Sequence, residues 1–352
     1  MPAKPPIRGR LNLHILIPGL LGRLVSRAKG AKQFPRFAAI ETLLARVHRT
    51  GSAACGFDAQ LCALFEMQRP PEGDLPLGAI RRYAMTGDAN EYHYFCADPV
   101  HLRADIQQAL LLDASQLRIG IEDARILTDL FNHHFAAEGV SLAADAVDCW
   151  HLRLTGPEAL RIQTLRQVRG GDVSPHFPSG DRARYWRGIL NETQMLYHDA
   201  EPNRRRRANG ELAINSLWLF GGGGLPRIKK ATWSGVWGDD PLIAGLSRLA
   251  AIESQPQPKG LEFLLDMNLS GTHLVCLDDL AIASSYDDFP VWGREMQELQ
   301  REWFEPLTAH LRAGTIRKCV LYDCAGQMFE FSGRDRWRFW RKPLPLYEYL
   351  DT

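Results

Sequence analysis

One stretch of this 352-residue sequence concentrates side chains that can bind a metal ion. The five residues, all within 15 positions, are Glu91, His93, Asp98, His101 and Asp105. Carboxylate and imidazole groups are common ligands of divalent cations, so a metal site around the two histidines is one hypothesis. A polar surface or a loop that contacts substrate is the simpler interpretation, because no recognised ligand spacing accompanies these residues.

Two further runs could interact with phosphate groups. Residues 221–224 are four consecutive glycines after a predicted strand, and their backbone N–H groups could cradle a phosphate. Leu225 and Pro226 follow, where a nucleotide-binding loop requires Lys and Ser or Thr, so we interpret the run as a flexible turn beside a site. The arginine run at 204–207 is interpreted as a solvated loop. No Gly-x-Ser-x-Gly motif of a hydrolase occurs.

The overall charge argues against a dedicated nucleic-acid or membrane-surface protein. Lys and Arg number 42 against 41 Asp and Glu, which gives a net charge of +1. No apolar run is long enough to span a bilayer, and no signal-peptide cleavage site follows the basic N-terminus. The seven cysteines lack zinc-site spacing and are interpreted as reduced thiols. We therefore expect a cytoplasmic protein with no nucleic-acid partner and no membrane association.

Predicted strands and helices alternate along the chain. The predicted strands cover residues 11–17, 91–96, 147–154, 213–220 and 316–322, and the apolar runs 261–265 and 273–277 have strand length. The predicted helices cover residues 37–49, 121–137, 181–197, 240–251 and 291–311. This alternation predicts an α/β fold with a largely parallel sheet covered by helices on both faces.

Sites in such sheets lie beyond the carboxyl ends of the strands. The polar or flexible segments that follow predicted strands are Pro18-Gly19, residues 221–224, Asp278-Asp279 and Asp323-Cys324. We therefore expect all four segments to lie at one edge of the sheet.

The order of several segments resembles a known family. Residues 203–207 (NRRRR) followed by 213–226 (AINSLWLFGGGGLP) are similar to the N-x-x-R … A-N-x-I-W-L-W-G-x-G-x-x-P stretch of archaeal-type cofactor-independent phosphoglycerate mutases. These enzymes belong to the alkaline phosphatase superfamily. Looser similarity at 171–176 and 236–246 keeps the same order, so the resemblance spans about residues 11–345. It is greatest to a bacterial branch described as regulatory, of the type named for regulation of pathogenicity factors.

The resemblance implies a domain arrangement. An alkaline phosphatase-like core sheet flanked by helices would be formed by residues 11–90 and 200–345. A smaller α/β lobe, similar to a substrate or cap domain, would be inserted at 91–199.

The catalytic positions of the resembled family are altered here. Its metal-binding Asp after the first strand corresponds to Pro18, and its nucleophilic Ser corresponds to Phe57. Its Asp-His pair corresponds to Asp323-Cys324, so the aspartate alone is kept. The histidines that the family carries in the segments matching 277–286 and 336–338 are absent. A two-metal phosphotransferase needs ions to activate its nucleophile and neutralise the phosphoryl oxygens, and these changes remove most of that machinery.

These observations favour a catalytically degenerate phosphoglycerate mutase-like protein that regulates by binding a ligand or partner. We expect no catalytic residue, no metal and no cofactor. The alternatives are an active metal-dependent phosphomutase or phosphatase with a rebuilt site, for which Asp278, Asp279, Asp287 and Asp288 form the reserve, and an unrelated α/β enzyme. Asp323 is expected to be structural, accepting backbone N–H bonds or pairing with Arg334 or Arg336.

A surviving ligand pocket would use residues that match the substrate-binding parts of the family. They are His101, Arg103, His176, Asn203, Arg207, Asn215 and Trp218. Arginine, histidine and asparagine side chains suit a phosphorylated or carboxylated small molecule. Core packing is an equally good interpretation of Trp218, and a protein partner is the second option.

Overall fold

The computed structural model describes residues 11–27, 34–51, 55–68, 74–104, 109–158, 160–180, 182–228 and 232–350. The chain divides into two compact units. The first unit combines residues 1–65 with 230–352, and the second unit is the intervening segment 66–229. The boundaries expected from the sequence, after residues 90 and 199, differ from these. Residues 66–90 and 200–229 belong to the second unit.

The described N-terminal part of the first unit contains strands and short helices. They are β1 (Leu11–Leu16), α1 (Arg23–Arg27), α2 (Ala38–Arg46), β2 (His48–Gly51) and α3 (Phe57–Leu64). The second unit begins with α4 (Leu77–Thr86), β3 (His93–Ala104), β4 (Ala109–Leu112), α5 (Ala114–Leu117) and α6 (Ile121–His134). It continues with β5 (Ser141–Ala146), β6 (Cys149–Leu154), α7 (Leu165–Val168), α8 (Ala183–His198), α9 (Glu201–Ala208) and β7 (Ser216–Gly223).

The chain then returns to the first unit. Its elements there are β8 (Gly235–Trp237), α10 (Pro241–Leu249), β9 (Ser254–Gln255), α11 (Leu261–Asp266), β10 (Gly271–Cys276) and α12 (Asp279–Ser285). They are followed by α13 (Phe289–Leu299), a π-helical turn (Gln300–Phe304), α14 (Glu305–Ala313), β11 (Ile316–Tyr322) and β12 (Gln327–Ser332). The helix predicted over 291–311 is thus a helical run with a π turn inside it.

The sheet of the first unit has the strand order β2-β12-β11-β1-β10-β8-β9. The strands from β11 to β9 pair in parallel, whereas β12 and β2 pair antiparallel at one edge. Alternate residues of β1, among them Leu13 and Ile15, are fully buried in a core that also contains Trp292 of α13 and Leu307 of α14. The predicted fold class, an α/β protein with a core sheet flanked by helices, is confirmed.

The prediction of a strand at residues 261–265 is wrong, because these residues form α11. Leu261 and Leu264 are buried and lie three residues apart, which places them on one face of a helix. A five-residue apolar run is compatible with a buried strand or a buried helical turn, so its period alone cannot separate the two.

The described strands of the second unit all pair antiparallel, and the long strand β3 is at their centre. The N-terminal part of β3 pairs with β6, its C-terminal part pairs with β4, and β7 pairs with it from Tyr94 to Val100. Helix α4 packs against this sheet so closely that a Cβ on Gly78 would lie 2.5 Å from the Tyr94 carbonyl oxygen. These contacts explain the domain boundaries, because α4 and β7 are held by β3 and belong with it.

The four glycines at 221–224 are therefore not at the edge of the first unit's sheet, and that expectation is wrong. The first three are the last residues of β7 in the second unit and Gly224 follows them, so the interpretation of the run as a flexible turn is also wrong. A Cβ on Gly222 would lie 2.2 Å from Cε1 of the buried Phe95 ring, and a Cβ on Gly221 would lie 2.7 Å from Leu77 Cβ. The absence of side chains here allows the strand to approach its neighbours closely.

Every cysteine in the described ranges is a free thiol, and all but Cys55 are buried. No described helix is both long enough and apolar enough to cross a bilayer.

Gly222→Ala should destabilise the protein by about 1–3 kcal/mol, because the added methyl group must displace a buried aromatic ring. Gly188→Ala is the matched control, since Gly188 lies within α8 and a Cβ added to it would have no neighbour within 4 Å. That change should stabilise the protein by about 0.5–1 kcal/mol. Chemical denaturation of both variants measures the difference. Equal stability of the two variants would contradict a packing role for Gly222.

Candidate functional site

The carboxyl ends of three parallel strands meet at one edge of the first unit's sheet. The backbone N–H of Ile17 donates to the Tyr322 carbonyl at 2.9 Å, and that of Leu277 donates to the Leu16 carbonyl at 2.9 Å. These bonds align the residues that follow β1, β10 and β11, which are Pro18, Asp278 and Asp323. We call this part of the structure the strand-end edge.

Helix α3 starts beside the same edge. The backbone N–H of Gly56 donates to the Cys324 carbonyl at 2.8 Å, and Phe57 is the first residue of the helix. Gly56 has φ +88°, a conformation that residues other than glycine rarely adopt. The structure thus brings Pro18, Phe57, Asp323 and Cys324 to one edge. The side chain of proline cannot ligate a metal, and the buried phenyl ring of Phe57 carries no nucleophilic atom.

Asp323 is held by the turn that follows β11. Its Oδ1 accepts the backbone N–H groups of Ala325 at 2.8 Å and Gln327 at 2.9 Å, so the prediction that it accepts backbone N–H bonds is confirmed. Its Oδ2 is buried and has no hydrogen-bond partner within the described structure. Burial raises the pKa of this carboxyl group, while the two N–H bonds and the charge of Arg49 oppose the rise. The side chain of Arg336 lies outside the described residues.

The strand-end edge does not assemble a metal centre from the residues described. No group of three or more His, Cys, Asp or Glu side chains in this part of the chain is arranged to hold an ion. The reserve aspartates are engaged separately: Asp287 pairs with Arg23 at 2.8 Å, and Asp288 accepts the Val291 N–H at 3.2 Å. The donor set therefore does not fit the two-metal chemistry of the resembled family.

A cavity of about 540 Å³ lies beyond β8, β9 and β10. Gln257 organises one wall: its N–H donates to Asp239 at 3.1 Å and its Nε2 donates to Asp279 at 2.7 Å. Five acidic and two basic residues line the cavity, namely Asp239, Asp279, Glu295, Glu298, Glu302, Lys259 and Arg301. This excess of acidic groups disfavours a phosphorylated ligand. Sequence reasoning missed Lys259 and Arg301, which come from separate segments and carry no motif.

Several predicted ligand-binding residues instead bond the backbone of the second unit. The buried Asn203 amide donates to the Tyr197 and Ile214 carbonyls, both at 2.8 Å, and accepts the Ile214 N–H at 2.7 Å. Asn215 forms a similar pair with the backbone of Leu102, at 2.7 and 2.9 Å. These amides replace missing backbone partners where regular pairing ends.

The other predicted ligand-binding residues occupy different environments. His101 Nδ1 lies 2.8 Å from the Ala213 carbonyl, and the next residue of β3, Leu102, bonds Asn215. Trp218 is buried and donates to the Gln163 carbonyl at 2.9 Å, as the core-packing interpretation requires. Arg103, His176 and Arg207 are not buried. A ligand-binding role for these residues stays a prediction.

The hypothetical metal cluster at residues 91–105 does not form among the residues described. Asp98 is buried and makes a two-bond ion pair with Arg81, at 2.8 and 3.1 Å. His101 is engaged with the Ala213 carbonyl, and Asp105 lies outside the described residues. The donors of this stretch thus serve separate contacts.

A buried chain of polar groups around Cys149 was not found from the sequence. Its Sγ lies 3.9 Å from His151 Nε2, and His151 Nδ1 lies 2.6 Å from Asp145, which also pairs with Arg82. The order of thiol, imidazole and carboxylate resembles a catalytic triad. Burial raises the pKa of the Cys149 thiol to about 12 and lowers that of His151, so the thiol stays protonated and inaccessible. The chain of groups is a structural network.

The arginine run at 204–207 forms part of α9, so the prediction of a solvated loop is wrong. Arg206 is buried, and its guanidinium donates to Asp123 at 3.1 Å and to the Leu212 carbonyl at 2.7 Å. Arg205 also pairs with Asp123. Burial of Arg206 is tolerated because a carboxylate and backbone carbonyls satisfy its donors.

His14, in the middle of β1, has a strongly lowered pKa. Its Nδ1 lies 2.9 Å from the Tyr322 hydroxyl, and its ring packs edge-on to Trp233 at 4.9 Å. Burial, assisted by the charge of Lys318 and opposed by Glu330, lowers the pKa of His14 to about 4. The folded protein therefore keeps this imidazole neutral at physiological pH.

Comparison with known proteins gives one short sequence match. No family model matches the chain. A stretch of 73 residues is 27% identical to a protein of Geobacter sulfurreducens described as a probable 2,3-bisphosphoglycerate-independent phosphoglycerate mutase. The stretch is 21% of this chain and 18% of that protein, so the match spans less than a fifth of the relative's length.

Two solved structures resemble most of the chain. The PH0037 protein from Pyrococcus horikoshii has a TM-score of 0.52 at 13% identity, over 93% of this chain and 88% of that one. A cofactor-independent phosphoglycerate mutase from Thermoplasma acidophilum has a TM-score of 0.44 at 16% identity, over 92% and 90% of the two chains. The likeness to the Pyrococcus protein shows a common fold and leaves activity open.

Asp323→Asn should change how stability depends on pH. Because the folded state raises the pKa of Asp323, ionisation costs the folded state more than the unfolded one, and stability is lost as pH rises above about 4. The unfolding free energy of the wild type relative to Asp323→Asn should therefore fall as the pH rises above about 4, where an unperturbed aspartate ionises. Asp323→Ala should cost about 1–3 kcal/mol because two N–H groups lose their acceptor. A relative stability that rises with pH would contradict a raised pKa.

His14→Gln should reduce the acid sensitivity of the fold. In the unfolded chain His14 is protonated below about pH 6.5, whereas in the folded protein it is protonated only below about pH 4. The wild type therefore loses stability as the pH falls from about 6.5 to about 4. Urea denaturation at several pH values should show a shallower loss for His14→Gln. His198→Gln, at an exposed position, is the control and should follow the wild type.

Proposed function

We propose that this protein is a catalytically degenerate, phosphoglycerate mutase-like protein that acts in the cytoplasm by binding a ligand or partner. We place it with the bacterial branch described as regulatory. The observation that carries the proposal is the composition of the strand-end edge. By the resemblance, Pro18 and Phe57 correspond to a metal ligand and to the nucleophile of that family, and neither side chain has the chemistry for that role. Asp323 bonds the backbone of its own turn.

Sequence and fold both support the assignment to a phosphoglycerate mutase-like group. The resemblance at residues 203–226 and the 73-residue stretch similar to the Geobacter protein are likenesses of sequence, and the Pyrococcus protein provides a likeness of fold. The loss of activity is supported by chemistry. Phosphoryl transfer by this class of site needs converging metal ligands and an activated nucleophile, and replacing most of them together leaves no path for the reaction.

The ligand class follows from the side chains that remain accessible. Arg103, His176 and Arg207 suit a phosphorylated or carboxylated small molecule. Asn203, Asn215 and Trp218 each bond a backbone carbonyl of the second unit, so their contribution to such a site would be to stabilise the fold that carries it. A protein partner is the other class that the proposal includes.

Metal loading and turnover test the loss of activity. Purified protein is stripped with chelator, reloaded with Mn²⁺ or Zn²⁺, and assayed with 3-phosphoglycerate and with p-nitrophenyl phosphate. We expect no turnover above the level of Asp323→Asn and no saturable rise in Tm with either ion, because fewer than three donors converge within the described chain. Asp199→Asn, at an exposed position, is the surface control.

The opposite result has a clear meaning. Two stoichiometric ions found by elemental analysis, together with turnover that Asp323→Asn abolishes and Asp199→Asn preserves, would establish an active enzyme with a rebuilt site.

A separate titration with 3-phosphoglycerate, in which Tm is measured at each concentration, tests the ligand class. A saturable rise that Arg103→Ala and Arg207→Ala diminish would support a phosphorylated or carboxylated ligand.

A further inference from the structure

Three large aromatic side chains are exposed together after β12. Trp337, Phe339 and Trp340 are 63%, 72% and 66% exposed, and the Phe339 and Trp340 rings contact at 5.7 Å. Single exposed apolar residues are ordinary on protein surfaces, as Met195 on α8 illustrates here. Three aromatic residues within four positions form a patch, and such patches mark interaction surfaces.

Two arginines of this segment, Arg338 between the aromatic residues and Arg341 directly after them, bond the segment to α2. Arg338 donates to the Arg46 carbonyl at 2.9 Å and pairs with Asp335 at 3.0 Å. Arg341 donates to the Val47 carbonyl at 3.2 Å. Both carbonyls lie at the C-terminal end of α2, where the helix dipole favours positive charge. The aromatic rings are therefore presented on an anchored segment, which lowers the entropy cost of binding.

A groove of about 800 Å³ adjoins this segment. Leu44, Val47, Phe329 and Leu344 are among the apolar residues that line it. Three basic residues also line it, Arg49, Arg341 and Lys342, and no acidic residue does among those described. We call this the basic groove. It contrasts with the cavity beyond β8, β9 and β10, where acidic groups predominate.

We propose that the basic groove and the adjoining aromatic residues dock an acidic segment of a protein partner, one that carries apolar side chains between its carboxylates. The apolar floor would bury those side chains, and the basic residues would pair with the carboxylates. Tryptophan and arginine are also the residue types that dominate binding energy at protein interfaces.

Two other anionic partners fit less well. A nucleic-acid surface usually has a broad basic footprint, whereas the chain as a whole carries a net charge of +1. A lipid surface is flat and favours protruding side chains, whereas the basic groove is concave and its apolar floor would remain unfilled. A polypeptide segment can fill the groove and contact the exposed aromatic rings at the same time.

The inference deepens the proposed function by naming a partner class, but it does not depend on the loss of catalysis. An active enzyme could carry the same docking surface, and an inactive protein could lack it. The metal and turnover assays therefore test the loss of catalysis, and the peptide-binding experiment tests the docking surface.

Peptide selection on the full-length protein tests the docking surface. The immobilised protein is used to select from a random display library of about 12-residue peptides, a length that covers the usual peptide-recognition modes. We expect the enriched peptides to combine Asp or Glu with Leu, Phe or Trp. The best peptide, labelled with fluorescein, is then titrated against the variants Trp340→Ala and Lys342→Glu, whose folding is checked by Tm.

Each substitution should weaken binding by about tenfold or more. Met195→Ala and Arg294→Glu, which change exposed side chains elsewhere, should leave it unchanged. Enrichment of peptides without acidic residues, or binding insensitive to both Trp340→Ala and Lys342→Glu, would overturn the proposal. So would tighter, equally sensitive binding to oligothymidylate or to phosphatidylglycerol-containing vesicles, which would assign the surface to nucleic acid or lipid.

Discussion

The parallel pairing of β1 with β10 on one side and β11 on the other is the constraint on which the strand-end edge depends. Leu16 is in register with Cys276 and with Tyr322, so the three strands end at the same level. The burial of alternate β1 residues fixes that register, because a shift by one residue would turn the apolar side chains away from the core. The residues that follow these strands are therefore placed at the same edge of the sheet.

The same edge shows how a carboxylate at the end of a strand can stabilise a turn. Asp323 directly follows β11, and its Oδ1 accepts two backbone N–H groups of its own turn. Burial favours the neutral form of its carboxyl group, while the two N–H bonds oppose that effect. In the described structure this aspartate holds its turn through Oδ1.

Charge within the first unit is unevenly distributed although the total charge of the chain is almost zero. The basic groove carries Arg49, Arg341 and Lys342, while acidic groups predominate in the cavity beyond β8, β9 and β10. The amino-acid composition gives only the sum of these charges and contains no information on where in the fold they lie. Binding depends on the local potential, so a nearly neutral chain can still offer surfaces that select partners of opposite sign.

The sequence by itself determined the elements whose signals are local. The helical spacing of apolar residues predicts α6 and α8, and short apolar runs predict β1 and β11. Tertiary structure decided the rest: that β7 pairs with β3, that Asn203 bonds the backbone, and that Trp340 is exposed. These outcomes depend on which distant segments meet, and the free energy of such contacts is not encoded in any short window of the chain.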